Sequence, residues 1–126
     1  MAFSLNRIEL IGRIGHEPHR RSIADGQAMT KLSLATDRPT RAEDPPETEW
    51  HQVVCWGALA DFAAQYVTTG RLVYVAGRLT YWRHEGADGR IRRTAEVMAS
   101  EMILLDRRLD GASQDPVPEA ADASPL

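Results

Sequence analysis

The chain has 126 residues, enough for one compact domain with a single core. Its one cysteine, Cys55, excludes an internal disulfide framework and a multi-cysteine zinc site. The formal charge of −3 is unevenly placed: residues 1–108 hold all 15 bases against 14 acids, whereas residues 109–126 hold four acids and no base, so binding of a polyanion through bulk basicity is excluded.

Taken in chain order, NRIELIGRIG (6–15) is dense in β-branched and apolar residues and ends in glycine, the pattern of a first strand. Residues 16–27 contain Pro18 and an Asp25-Gly26 turn and read as a connection. MTKLSLATDR (29–38) alternates, with Met29, Lys31, Ser33 and Ala35 on one side and Thr30, Leu32, Leu34 and Thr36 on the other, and reads as a second strand. The acid- and proline-rich segment 39–48 is expected to be a surface loop. TEWHQVVCWG (48–57) reads as a third strand, in which Trp50, Gln52, Val54 and Trp56 share an outward face and His51, Val53 and Cys55 face the core.

Leu59, Phe62, Ala63, Tyr66 and Val67 then recur at helical spacing, and Gly70 is expected to stop a short amphipathic helix. Residues 71–82 resume strand character, GADG (86–89) supplies a turn, and 90–105 form a last strand. On the fourth strand Val73, Val75, Leu79 and Tyr81 are expected inward and Arg78, Thr80, Trp82 and His84 outward. Residues 109–126, dominated by Pro, Ala, Ser and Asp, read as a flexible acidic tail beyond a domain at 1–108. Five strands with one helix between the third and fourth give an all-β chain, an OB-fold: a five-stranded Greek-key barrel whose outer face commonly binds nucleic acid or sugar. A ferredoxin-like sandwich would need a second helix, which the pattern does not supply.

Catalysis is not expected. His16 and His19 are separated by Pro18, which removes the helical geometry that would align two metal ligands, and no phosphate loop, nucleophile elbow or paired-carboxylate signature is present. No metal or cofactor is therefore anticipated, and Cys55 is expected to be a core side chain. The three tryptophans all fall on outward faces, and together they suit a stacking platform for unpaired bases, each base contributing about 1 to 3 kcal/mol whatever its identity.

These stretches resemble the bacterial single-stranded-DNA-binding protein family over about residues 3–106. NRIELIGRIG followed by HEPHRR, with Glu17 in the acidic position and Pro18 retained, is similar to the family's opening strand and turn; TEWHQVV is similar to its most recognisable motif; YVTTG, RLVYVAGRL and DGRIRRTAEV follow in the family's order. The resemblance implies non-catalytic, sequence-independent binding and protection of single-stranded DNA during replication, repair and recombination. It also implies a homotetramer, cytoplasmic and nucleoid-associated, with no membrane partner; no apolar run approaches the roughly 18 residues of a spanning helix, and MAFSLNRIEL lacks a signal-peptide pattern.

Carried over by position, Trp50 and Trp56 match stacking residues and His51 a histidine near the subunit contact. Trp82 lies two residues before the family's stacking tryptophan, which aligns nearer His84, and shares its face. Residues 37–49 lack the aromatic that family members carry there, so Arg38 and Arg41 are expected to stack or pair with phosphate in its place, with Arg78 and Arg92 as further phosphate contacts. The ending DASPL keeps little of the family's acidic tip, which puts recruitment of replication and repair proteins in doubt. An accessory paralogue in replication restart or DNA uptake, acting through protein contacts, is the alternative.

Overall fold

The computed structural model describes residues 3–106 except Glu17; the segment 109–126, read above as a tail, and the acidic position at Glu17 lie outside the described residues. Six strands and one helix follow in the order β1 (Ile8–Ile14), β2 (His19–Ser22), β3 (Ala28–Arg38), β4 (Glu47–Trp56), α1 (Ala58–Tyr66), β5 (Leu72–Glu85) and β6 (Ile91–Leu104). They hydrogen-bond in the order β1-β5-β6-β4-β3-β2, antiparallel except for a short parallel contact of β4 with β6 at Val53–Val97 and Val54–Met98.

Strand β1 brings the sheet back on itself. Its residues Ile8 to Arg13 pair with β5, while Arg13 and Ile14 also pair with Ala35 and Leu34 of β3. A strand can pass from one neighbour to the other only by bending close to the second, and Gly12 lies at that bend. A Cβ there would stand 2.2 Å from the Ala35 carbonyl oxygen. No side chain fits in that space.

Alternation decides what the barrel encloses. Thr30, Leu32 and Leu34 of β3, Val53 and Cys55 of β4, and Val73 and Val75 of β5 are all buried, as their parity predicts. Helix α1 closes one end with Leu59, Phe62 and Ala63, and the buried Thr30 hydroxyl donates 2.8 Å to the Ala60 carbonyl, tying the helix to β3. Burial pushes the Cys55 thiol up to about 12, so it behaves as the small apolar group expected of it.

Four expectations need correction. Residues 16–27 are not a plain connection: His19–Ser22 pair along the edge of β3, making six strands where five were expected. All four are exposed, so no hydrophobic alternation marks the strand. The helix ends at Tyr66, four residues before Gly70, because Val67 turns extended and drops its side chain into the core. Val54, on the outward side of β4, is buried because the β5–β6 hairpin overlies it. Tyr81, expected inward, is 58% exposed, because by that point β5 has left the barrel and both its faces meet solvent.

The hairpin leaves the barrel at a β-bulge. Ala76 pairs with Glu101 but Gly77 with Ala99, so Ser100 is an extra residue, and its hydroxyl donates 3.2 Å to the Ala76 carbonyl. Bulges increase local twist, and here the change falls between the barrel half of the hairpin and its projecting half.

An ion pair between buried Arg71 and partly exposed Asp106 joins the start of β5 to the end of β6. Arg71, 5% exposed, donates from Nε to Asp106 Oδ1 at 2.7 Å and from Nη2 to the Asp106 carbonyl at 2.9 Å, while the Leu72 N–H donates to Oδ2 at 3.1 Å. Burial pushes the Asp106 carboxyl up, but the hydrogen bonds from Arg71 and Leu72 and the charges of Arg71 and Arg13 outweigh it and hold the group below its ordinary 3.8. A depressed folded-state value contributes stability above about pH 4, lost as pH falls through that value. Asp106→Asn is expected to cost about 2 kcal/mol at pH 7 by weakening the charge-assisted hydrogen bonds between Arg71 and residue 106, and to flatten the acid limb of stability. Urea unfolding at pH 7 and pH 3 checks both.

Candidate nucleic-acid interface

The outer faces of β3, β4, β6 and β5 form one surface. Register pairs Trp56 with Met29, Val54 with Lys31, Gln52 with Ser33 and Trp50 with Ala35, with no break along β4. Pairing continues to the strand end, so Trp56 stays outward, 37% exposed. Beyond β4, Trp82 pairs with Thr94 and Arg78 with Met98, which puts both on the side of the hairpin that overlooks β4.

Trp56 and Trp82 thereby line one recess of about 420 Å³, with Met29, Val54 and Met98 supplying its apolar lining. Two polar contacts order it. His84 Nε2 lies 2.8 Å from the Thr94 hydroxyl, and Lys31 Nζ stands 3.8 Å from the Glu96 carboxylate, whose side chain is only 13% exposed. Trp82 itself is 54% exposed, an indole available to a flat partner.

Trp50 lies apart. It stands six positions before Trp56 along β4, about 20 Å of strand. Its ring packs on the backbone of Gly15, where a Cβ would fall 2.1 Å from the indole, and stacks with His16 at 6.4 Å and 20°. It remains 60% exposed. Thus His16 is a neighbour of the indole, and Gly15 leaves room for it.

The arginines separate into two groups. Arg38 is ion-paired to Glu47, its register partner, and Arg92 bonds Asp88 at 2.9 Å near the hairpin turn. Arg41, in the loop between β3 and β4, and Arg78 have no carboxylate in ion-pairing reach among the described residues, and both are exposed. Arg78 borders a second recess of about 320 Å³ that shares Met98 with the first. Of the residues singled out by sequence, then, Trp56, Trp82, Arg78 and Arg92 lie on one continuous face, Trp50 lies farther along it, and Arg38 and Arg41 lie beyond Trp50 at the loop. His51 points to the barrel side, half-buried, its Nε2 2.9 Å from the Thr36 hydroxyl.

Sequence reasoning did not assemble the recess lining. Met29 and Val54 were assigned to the correct faces, but Met98, Thr94 and Glu96 enter only through the β5–β6 register, which the pattern of 90–105 does not reveal. Among the described residues, no cluster of three His, Cys, Asp or Glu side chains is placed to hold a metal ion, and no helix is long and apolar enough to cross a membrane.

A small OB-fold barrel with a row of exposed aromatic side chains across its outer sheet defines the class of molecule. The profile of the single-strand binding protein family matches residues 5–105, and the chain belongs to that family. It is 36% identical over 114 residues to a single-stranded DNA-binding protein of Xanthomonas axonopodis pv. citri, covering 88% of this chain and 63% of the relative. It is 36% identical over 115 residues to single-stranded DNA-binding protein 1 of Chlorobaculum tepidum, covering 88% of this chain and 71% of that one. The chain thus spans about two thirds of the length of these relatives. The solved structure of a Plasmodium falciparum SSB complex with ssDNA superposes with a TM-score of 0.77 at 31% identity, covering 84% of this chain and 99% of that one.

Because a Cβ on Gly15 would occupy the space of the Trp50 ring, Gly15→Ala is expected to displace the indole and change its fluorescence maximum while leaving the far-ultraviolet circular dichroism of the barrel intact.

Proposed function

We propose that this chain binds single-stranded DNA without sequence preference along the outer face of β3, β4, β6 and β5, and protects it during replication, repair and recombination. The observation that carries the reading is the pairing of Trp56 and Trp82 across one open recess with unpaired Arg78 alongside. Flat rings stack on any base, and a guanidinium without an internal carboxylate is free to meet phosphate. Trp50 extends the track toward Arg41. Arg38 and Arg92, each held by a carboxylate, join it by exchanging that partner for a phosphate. The binding unit in this reading is the barrel domain at residues 1–108, and 109–126 is a separate acidic segment.

Self-association follows from a different face. Ile11, Tyr74 and Ile103 are register neighbours across β1, β5 and β6 and share the side opposite the core; Ile11 and Ile103 are exposed, and the Tyr74 hydroxyl is held 2.7 Å from Glu9. A second copy packing there would bury this apolar strip, and four copies fit the proposed homotetramer. His51 is a candidate for a further subunit contact.

Titration with oligo-dT is expected to quench tryptophan fluorescence, with equal-length duplex binding far more weakly; absence of quenching, or equal affinity for duplex, refutes the reading. Trp82→Ala is expected to weaken binding about 5- to 150-fold, the equivalent of one base stack. Ile11→Asp combined with Ile103→Asp is expected to yield a smaller particle by sedimentation velocity.

A further inference from the structure

The β5–β6 hairpin has a second face. Trp82, His84 and Thr94 look over the recess, so their neighbours Tyr81, Arg83, Ile91 and Arg93 look the other way. That reverse side bears the hallmarks of an anion site that no carboxylate among the described residues occupies.

Arg83 and Arg93 are direct register partners. Like charges set opposite one another across an antiparallel pair are destabilising, and both guanidiniums are exposed, with no described carboxylate in ion-pairing reach of either. Glu85, on the same side and paired in register with Ile91, forms no ion pair with them. Arg20, Arg38, Arg71 and Arg92 each hold an acid, and among the described residues no other two arginines are register partners as Arg83 and Arg93 are.

An aromatic ring lies beside the arginine pair. The Arg93 guanidinium stands 5.5 Å over the Tyr81 ring, and Tyr81 is 58% exposed. Arg83, Ile91 and Arg93 line an open recess of about 490 Å³. Two facing cations, a stacked ring and an exposed apolar side chain within one strand pair match the chemistry of a nucleotide, with its phosphate between the cations and its base on the ring.

We infer that the reverse face of the β5–β6 hairpin is a second single-strand contact, in which a phosphate sits between Arg83 and Arg93 and the adjoining base packs on Tyr81. Residues 82 and 83 are consecutive and point to opposite sides, so a strand leaving Trp82 reaches Arg83 by rounding the hairpin edge. This inference rests on the single-strand reading above and adds a prediction that the front face alone does not make: dependence on strand length. A short strand fills the front track only; a longer one continues around the hairpin.

The full chain and an Arg83→Thr/Arg93→Thr variant are compared by tryptophan quenching with an oligo-dT of about 10 nucleotides, within the span of one OB-fold, and with one about four times longer. The short strand is expected to bind both proteins alike. The long strand is expected to lose roughly tenfold in the variant, with the logarithmic salt slope shallower by about 0.7 for the one phosphate lost. Tyr81→Ala is expected to weaken only the long strand. Unchanged long-strand affinity overturns the inference, and so does an equal loss on both lengths, which places the arginines on the front track. If an acidic peptide binds the chain, is lost in the variant, and long-strand affinity stays intact, the face belongs to a protein partner and the inference again falls. Failure of the short strand to quench the unmodified chain refutes the parent reading instead. Without DNA, Arg83→Thr is expected to raise Tm by relieving the cross-strand repulsion; a lowered Tm overturns the unpaired-cation premise.

Discussion

The structure depends on β1 having two partners. One seven-residue strand pairs with β5 along most of its length and with β3 at its end, and this is possible only because Gly12 presents a bare backbone to the Ala35 carbonyl. Once that contact is made, the inside and outside of every other strand follow from alternation. The face of β3 and β4 that carries the tryptophans is then directed to solvent because the opposite face is occupied by Leu32, Leu34, Val53 and Cys55. The exposure of the indoles is thus a by-product of closure.

The projecting hairpin turns this exposure into a recess. A flat outer sheet would offer rings on a plane, whereas β5 and β6 run beyond the barrel and bring Trp82 opposite Trp56. The bulge at Ser100 is placed between the two halves of that hairpin, so the barrel register and the projecting register are set separately. The Arg71–Asp106 contact anchors the barrel half at its base. The side chains proposed to bind on β5 and β6 therefore sit on a lever whose root is held by the Arg71–Asp106 pair.

Much of this was legible because alternation is legible. The inward set Thr30, Leu32 and Leu34 and the outward set Trp50, Trp56 and Trp82 follow from parity alone, and the strand–helix order was enough to identify the barrel. Parity fails where burial is not the organising force. Strand β2 is exposed along its whole length and exists through backbone pairing with β3, so no pattern of side chains announces it. Tyr81 obeys the inward parity of Val73 and Val75 but lies past the end of the core, where parity still assigns a side and no longer assigns burial. Val54 fails in the reverse direction, since a second layer covers what a single strand would leave open. The pairings of Lys31 with Glu96 and Arg38 with Glu47 depend on registers that no local stretch contains.

The Lys31–Glu96 pair gives the recess a chemical polarity. The Glu96 carboxylate and the Lys31 ammonium beside the rings cancel in net charge, so the recess offers planar apolar surface and an ammonium that already has a partner. In the proposed single-strand reading a polynucleotide entering there is sorted by its own two halves: the heterocycles meet the rings, and the charged backbone meets Arg78 at the neighbouring recess. In that reading the orientation of the bound chain, bases inward and phosphates outward, follows from an acid of the protein having already engaged the ammonium inside the recess.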